Sequence, residues 1–90
     1  MSTINVFEDI KVTISKIGAP EKDTFFNNNF RKVVFEKEDG TIFENSILDG
    51  RVYEELRKSR DLVRGHTVTL RVQVSPVYGW IKTINGKEWH

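Results

Sequence analysis

Apolar and polar residues alternate along Ile10-Lys11-Val12-Thr13-Ile14-Ser15-Lys16-Ile17, the period of a strand with one buried face. Ile10, Val12 and Ile14 are expected to face a core and Lys11, Thr13 and Ser15 to face out. Gly18-Ala19-Pro20 closes the run, because proline brings no amide donor to a central strand. Glu21 to Asn29 reads as a loop ending in three asparagines. Within it lie Phe25 and Phe26, which fit either a plug for an open barrel end or a contact for a ligand. Two β-rich runs follow, Phe30 to Glu38 and Thr41 to Asn45, separated by Asp39-Gly40. A tight Asp-Gly turn between two such runs predicts a hairpin.

From Arg51 to Val63 there is no proline or glycine, and good helix formers dominate. Val52, Leu56 and Val63 form one narrow apolar stripe flanked by Tyr53 and Leu62. Gly65 stands where a glycine commonly ends a helix, and Arg57, Lys58, Arg60 and Arg64 oppose the helix dipole at that end. The cleanest alternation comes next, with Val68, Leu70, Val72 and Val74 on one side and Thr67, Thr69, Arg71 and Gln73 on the other. Ser75 to Gly79 turns the chain into a last strand, Trp80 to Ile84, and Asn85-Gly86 makes a further turn.

A mainly β chain ordered β-β-β-α-β-β results. One helix is too few to cover both faces of a doubly wound sheet. The order resembles the OB-fold, a five-stranded barrel capped by one helix. The likeness lies in the Asp39-Gly40 hairpin, in Gly65-His66-Thr67-Val68-Thr69-Leu70-Arg71-Val72 as a glycine-led fourth strand, and in Gly79-Trp80-Ile81-Lys82-Thr83-Ile84 as a fifth. It spans roughly residues 8 to 85 and rests on architecture rather than on a diagnostic motif. An SH3-like barrel and a small β-grasp domain stay open as alternatives. Small members of the OB family include single-stranded DNA-binding proteins of bacteriophages, so the resemblance implies a viral replication protein that holds DNA or RNA with little sequence preference.

Charge and composition refine this only partly. The 90 residues suit a single domain over 1–90, with a net charge of +1 and no cysteine. Residues 1–50 hold six Lys/Arg against nine Asp/Glu, and residues 51–90 eight against four. That asymmetry fits either a positive face or an ordinary solvated surface. The absence of cysteine and of an export signal points to a reducing cytoplasm, that of the host if the protein is viral. The longest apolar runs are far short of the ~20 residues that span a bilayer, so no membrane is expected.

Strand binding requires cations for phosphates and rings for bases. Lys11, Arg31, Lys32, Phe35, Lys37, Phe43, Arg71, Tyr78, Trp80 and Lys82 are the candidates on the presumed barrel face. Core packing is the competing role for Phe35 and Phe43, and packing across the barrel end for Trp80; Tyr78, at a loop tip, has little core to join. Catalysis is not expected. The two histidines stand apart in the sequence, no nucleophile motif surrounds a serine, and Glu54 and Glu55 project about 100° apart on a helix. Asp49-Gly50-Arg51 begins like a calcium loop, but Arg51 and Tyr53 stand where oxygen ligands belong. No cofactor or metal is expected. The competing function is a protein-binding module or small inhibitor, with Lys87-Glu88-Trp89-His90 as a docking tail. A homodimer fits either reading.

Overall fold

The computed structural model describes residues 4–25 and 28–90; Phe26 and Asn27, part of the expected loop, lie outside the described residues. In chain order come β1 (Val6–Ile17), β2 (Glu21–Asp23), β3 (Asn28–Lys37), β4 (Ile42–Leu48), α1 (Arg51–Lys58), β5 (Thr67–Ser75), β6 (Ile81–Ile84) and β7 (Lys87–Glu88). All strand pairs are antiparallel. β3 has β4 on one edge and, on the other, first β2 and then β1. From β1 the sheet continues through β5 and β6 to β7.

The five-stranded OB barrel is therefore corrected to an open sheet of seven strands with one helix. β2 and β4 are edge strands at the β3 end and β7 stands at the other end, and no backbone ladder joins β4 to β7. Side chains bridge the two ends instead. Asn45 Nδ2 donates to the Gly79 carbonyl at 2.6 Å, and Trp89 Nε1 donates to the Ser46 carbonyl at 3.1 Å.

Alternation explains which residues the curled sheet buries. Val12, Ile14, Val33, Phe35, Ile47, Val68, Leu70 and Val72 share one core with Ile81, Ile84 and Trp89. Two irregularities keep apolar residues on that side. A register shift between Ile14 and Lys16 lets Ile17 pack against the core although it is out of phase with Ile14. A second shift, between Arg71 and Val72, lets both Ile81 and Ile84 point inward while Lys82 stays exposed. At the end of β1, Gly18 approaches β3 closely, where a Cβ would lie 3.1 Å from the Lys32 carbonyl.

The helix stops at Lys58 rather than running to Val63. Ser59 Oγ donates to the Leu56 carbonyl, and Arg60 turns left-handed at φ 65°. Arg60 N then donates to Arg57 O, and Asp61 N to Leu56 O, which is the Schellman pattern with arginine in the usual glycine position. The shortened helix buries Tyr53 and Leu56, and Leu62 fills the core from the following turn. Val52 and Val63 are only half-buried.

Asp61 ties this turn to the β6–β7 hairpin. It accepts bonds from Ser59 Oγ, from Asn85 Nδ2 at 2.8 Å and from Lys87 Nζ. Burial pushes its carboxyl up, but those bonds and the Lys87 charge outweigh it and hold the pKa at about 2.

Candidate functional site

The ten residues expected on one nucleic-acid face do not share one. Phe35 is fully buried in the core, and Phe43, stacked on it at 5.2 Å, is half-buried. Both continue the inward row of their strands, so neither offers an open ring to a base. Arg31 turns toward the helix end of the core. Its Nε bonds Asp49 Oδ1 at 2.9 Å, its Nη1 reaches the Gly18 carbonyl at 3.2 Å, and its guanidinium lies 4.5 Å from the Tyr53 ring centroid. These contacts fix the loop before α1, which explains the cation without a phosphate. Arg71 pairs with Asp9 at 3.3 Å on the outer sheet face. Lys11 is exposed on that face as well, whereas Lys32 projects from β3 beside Glu44 and Val34. Among the described residues a basic, aromatic-lined barrel face is thus absent, and the single-stranded nucleic-acid reading is corrected with it.

The remaining candidates fall into two groups, Trp80 and Lys82 around Phe7, and Lys37 with Tyr78. Phe7 pairs with Gln73 across β1 and β5, while Gln73 N donates to Trp80 O at 2.8 Å. Gln73 therefore separates Phe7 from Trp80 by one strand, and the rings meet edge to face at 6.1 Å. Lys82 Nζ lies 5.0 Å from the Phe7 centroid. On the other side His90 stacks on Trp80 at 4.8 Å, its Nε2 2.9 Å from the Ile81 carbonyl.

Just beyond, the loop from Ser75 to Gly79 carries Val77 and Tyr78. Its fold is set by Gly79, whose amide donates to Gln73 O at φ 109°, a region where glycine is unstrained. Lys37 Nζ lies 4.5 Å from the Tyr78 centroid and 5.7 Å from that of Phe43. Val6, Val77, Tyr78 and Trp80 are 44%, 67%, 49% and 46% exposed. Among the described residues neither Lys37 nor Lys82 has a carboxylate within 4 Å, whereas Arg31, Arg51, Arg57, Arg71 and Lys87 each have one.

Neither a family model, a curated protein nor a solved structure matches this chain. The surface must be read from its own chemistry. Apolar rings half in water, next to cations outside any close ion pair, are suited to another apolar surface that carries carboxylates. Among the described residues no group of three or more His, Asp or Glu is placed to hold a metal ion. No helix is long and apolar enough to cross a membrane.

Phe7 was legible in principle. The outward phase of Lys11 and Thr13 runs back through Asp9 to Phe7, so the alternation continues three residues before the expected strand start. His90 carried no sequence signal. Trp89 is the clearest reversal: the expected docking tail folds inward, and Trp89 is 1% exposed against Phe35 at 5.8 Å.

Proposed function

We infer that this chain is a protein-binding module of the cytoplasm, engaging its partner through the surface formed by Phe7, Trp80, Tyr78 and Val77. The observation that carries this reading is the edge-to-face packing of Phe7 on the half-exposed Trp80, with the exposed Val77 and Tyr78 just before it in the chain. Tyrosine and tryptophan are the side chains that most often dominate binding energy at interfaces, and isolated surface residues would not cluster in this way. Lys37 and Lys82, neither in an ion pair within 4 Å although Lys37 helps to lower the Asp39 carboxyl, select a partner whose apolar patch is rimmed by Asp or Glu. The role is binding rather than catalysis.

The test places a photo-activatable phenylalanine at position 78 and, as a control, at position 58 on the exposed end of α1. Discrete protein adducts from position 78, absent from position 58 and lost when Trp80→Ser is added, support the reading. Identical adducts from both positions, or adducts indifferent to Trp80→Ser, overturn it.

A further inference from the structure

The ends of the sheet are protected unequally, and the difference marks a second surface, adjoining the loop that carries Tyr78 through the bond from Asn45 to Gly79. β7 is two residues long and charged, and β2 is three residues long, charged and preceded by Pro20. Shortness, charge and proline are the usual ways in which a sheet discourages a further strand. β4 has seven residues and neither proline nor lysine. It pairs with β3 in unbroken register from Phe30↔Leu48 to Glu36↔Ile42.

The direction of its backbone groups follows from the ladder. Asp49 N donates to Asn29 O and Lys37 N to Thr41 O, so the odd-numbered residues of β4 are those bonded to β3. The N–H and C=O groups of Ile42, Glu44, Ser46 and Leu48 therefore face away from the sheet. Trp89 Nε1 occupies the Ser46 carbonyl, and Gly50 N the Leu48 carbonyl. Among the described residues, nothing pairs the outward groups of Ile42 and Glu44.

The side chains beside this row choose the occupant. Ile42 is 62% exposed, and Glu44 and Glu36 are exposed with no cation within 4 Å. Cross-strand neighbours on this outer face are Ile42 with Glu36 and Glu44 with Val34. A strand laid along β4 meets an apolar side chain at 42 and a carboxylate at 44. A second copy paired antiparallel about residue 44 would set Glu44 against Glu44, which is unfavourable.

We propose that the Ile42–Glu44 edge of β4 accepts an extended segment of a partner protein by strand addition, with a Lys or Arg opposite Glu44 and an apolar residue opposite Ile42. Backbone bonds hold such a segment, and the alternate side chains select it.

The probe is an acetylated seven-residue peptide alternating threonine with valine and carrying lysine at its centre. It is compared with the same peptide bearing a central glutamate and with one N-methylated at the lysine. Amide shifts and slowed hydrogen exchange at Ile42 and Glu44 are expected with the lysine peptide. Binding should fall roughly three- to tenfold with the glutamate peptide, the swing expected when one cross-strand charge pair is inverted. Glu44→Lys should reverse the preference, and N-methylation should abolish binding. No protection at millimolar lysine peptide, equal binding of the N-methylated peptide, or shifts confined to Tyr78 and Trp80 would overturn the proposal. So would a dimer of the chain that dissociates on Glu44→Thr, which would make a second copy the occupant.

Discussion

Replacing Trp89 by alanine removes the largest fully buried side chain in the molecule. The ring fills the gap between β4 and the β6–β7 hairpin, where no backbone ladder exists. Truncating a buried tryptophan costs about 3–5 kcal/mol through lost transfer energy and the cavity left behind. The contact with Phe35 at 5.8 Å lies within that figure. The lost bond to the Ser46 carbonyl adds little, because Ser46 is exposed and water can replace the indole. A value of about 4 kcal/mol is expected, out of the roughly 5–15 kcal/mol that stabilises a typical domain. At about 4–8 °C per kcal/mol for a chain of this size, Tm should fall by roughly 15–30 °C. Urea unfolding followed by far-UV circular dichroism should show the midpoint fall with little change in slope. Trp89→Phe keeps the ring contact and should cost about 1–2 kcal/mol. A loss below about 1 kcal/mol for Trp89→Ala would refute the core assignment and return Trp89 to the surface as a docking residue.

Other consequences are separable. The folded Asp61 carboxyl, held at about 2 against an ordinary 3.8, contributes stability above pH 4 that is lost as pH falls from 4 toward 2. Asp61→Asn should cost on the order of 1–2 kcal/mol at neutral pH and flatten that acid limb, read as urea midpoint against pH; an unchanged limb would count against the Ser59, Asn85 and Lys87 contacts. Arg31→Ala should destabilise by about 1–2 kcal/mol in the same urea assay, because it strips Asp49 and Tyr53 of their shared partner. A neutral result would release Arg31 from its structural role. Trp80→Ser should change stability by less than about 1 kcal/mol while abolishing cross-linking through position 78. A large loss of stability would show that Trp80 serves packing.

Local structure was more legible than closure. The alternation of Val68, Leu70 and Val72, and the Asp39-Gly40 turn, involve neighbours in sequence, and those strands stand where the pattern puts them, whereas β2 and β7 formed in stretches expected to be loop and tail. Register is decided further away. The shifts at Ile14/Lys16 and Arg71/Val72 depend on what faces each strand, so the inward turn of Ile17 and the shared inward direction of Ile81 and Ile84 could not be read from period two alone. The helix end was misread because Gly65 is the obvious stop, whereas Ser59 and Arg60 end it earlier at the cost of one left-handed arginine. Barrel closure failed as an expectation for a related reason. Strand order specifies which strands follow one another, but Asn45 and Trp89, not paired backbones, bridge β4 to the other end of the sheet. Of the ten candidate site residues, those following an inward row, Phe35 and Phe43, were taken by the core. The cluster that did form needed Phe7, brought beside Trp80 by pairing on both sides of Gln73.

Competition most directly tests the claim that the aromatic surface serves a protein partner. Adducts formed through position 78 are measured with and without excess oligo(dT), at low and at moderate salt. Adducts that persist with oligo(dT) present and change little with salt are the predicted result. Their displacement by the oligonucleotide, with a steep loss as salt rises, is the signature of phosphate contacts and would contradict the account.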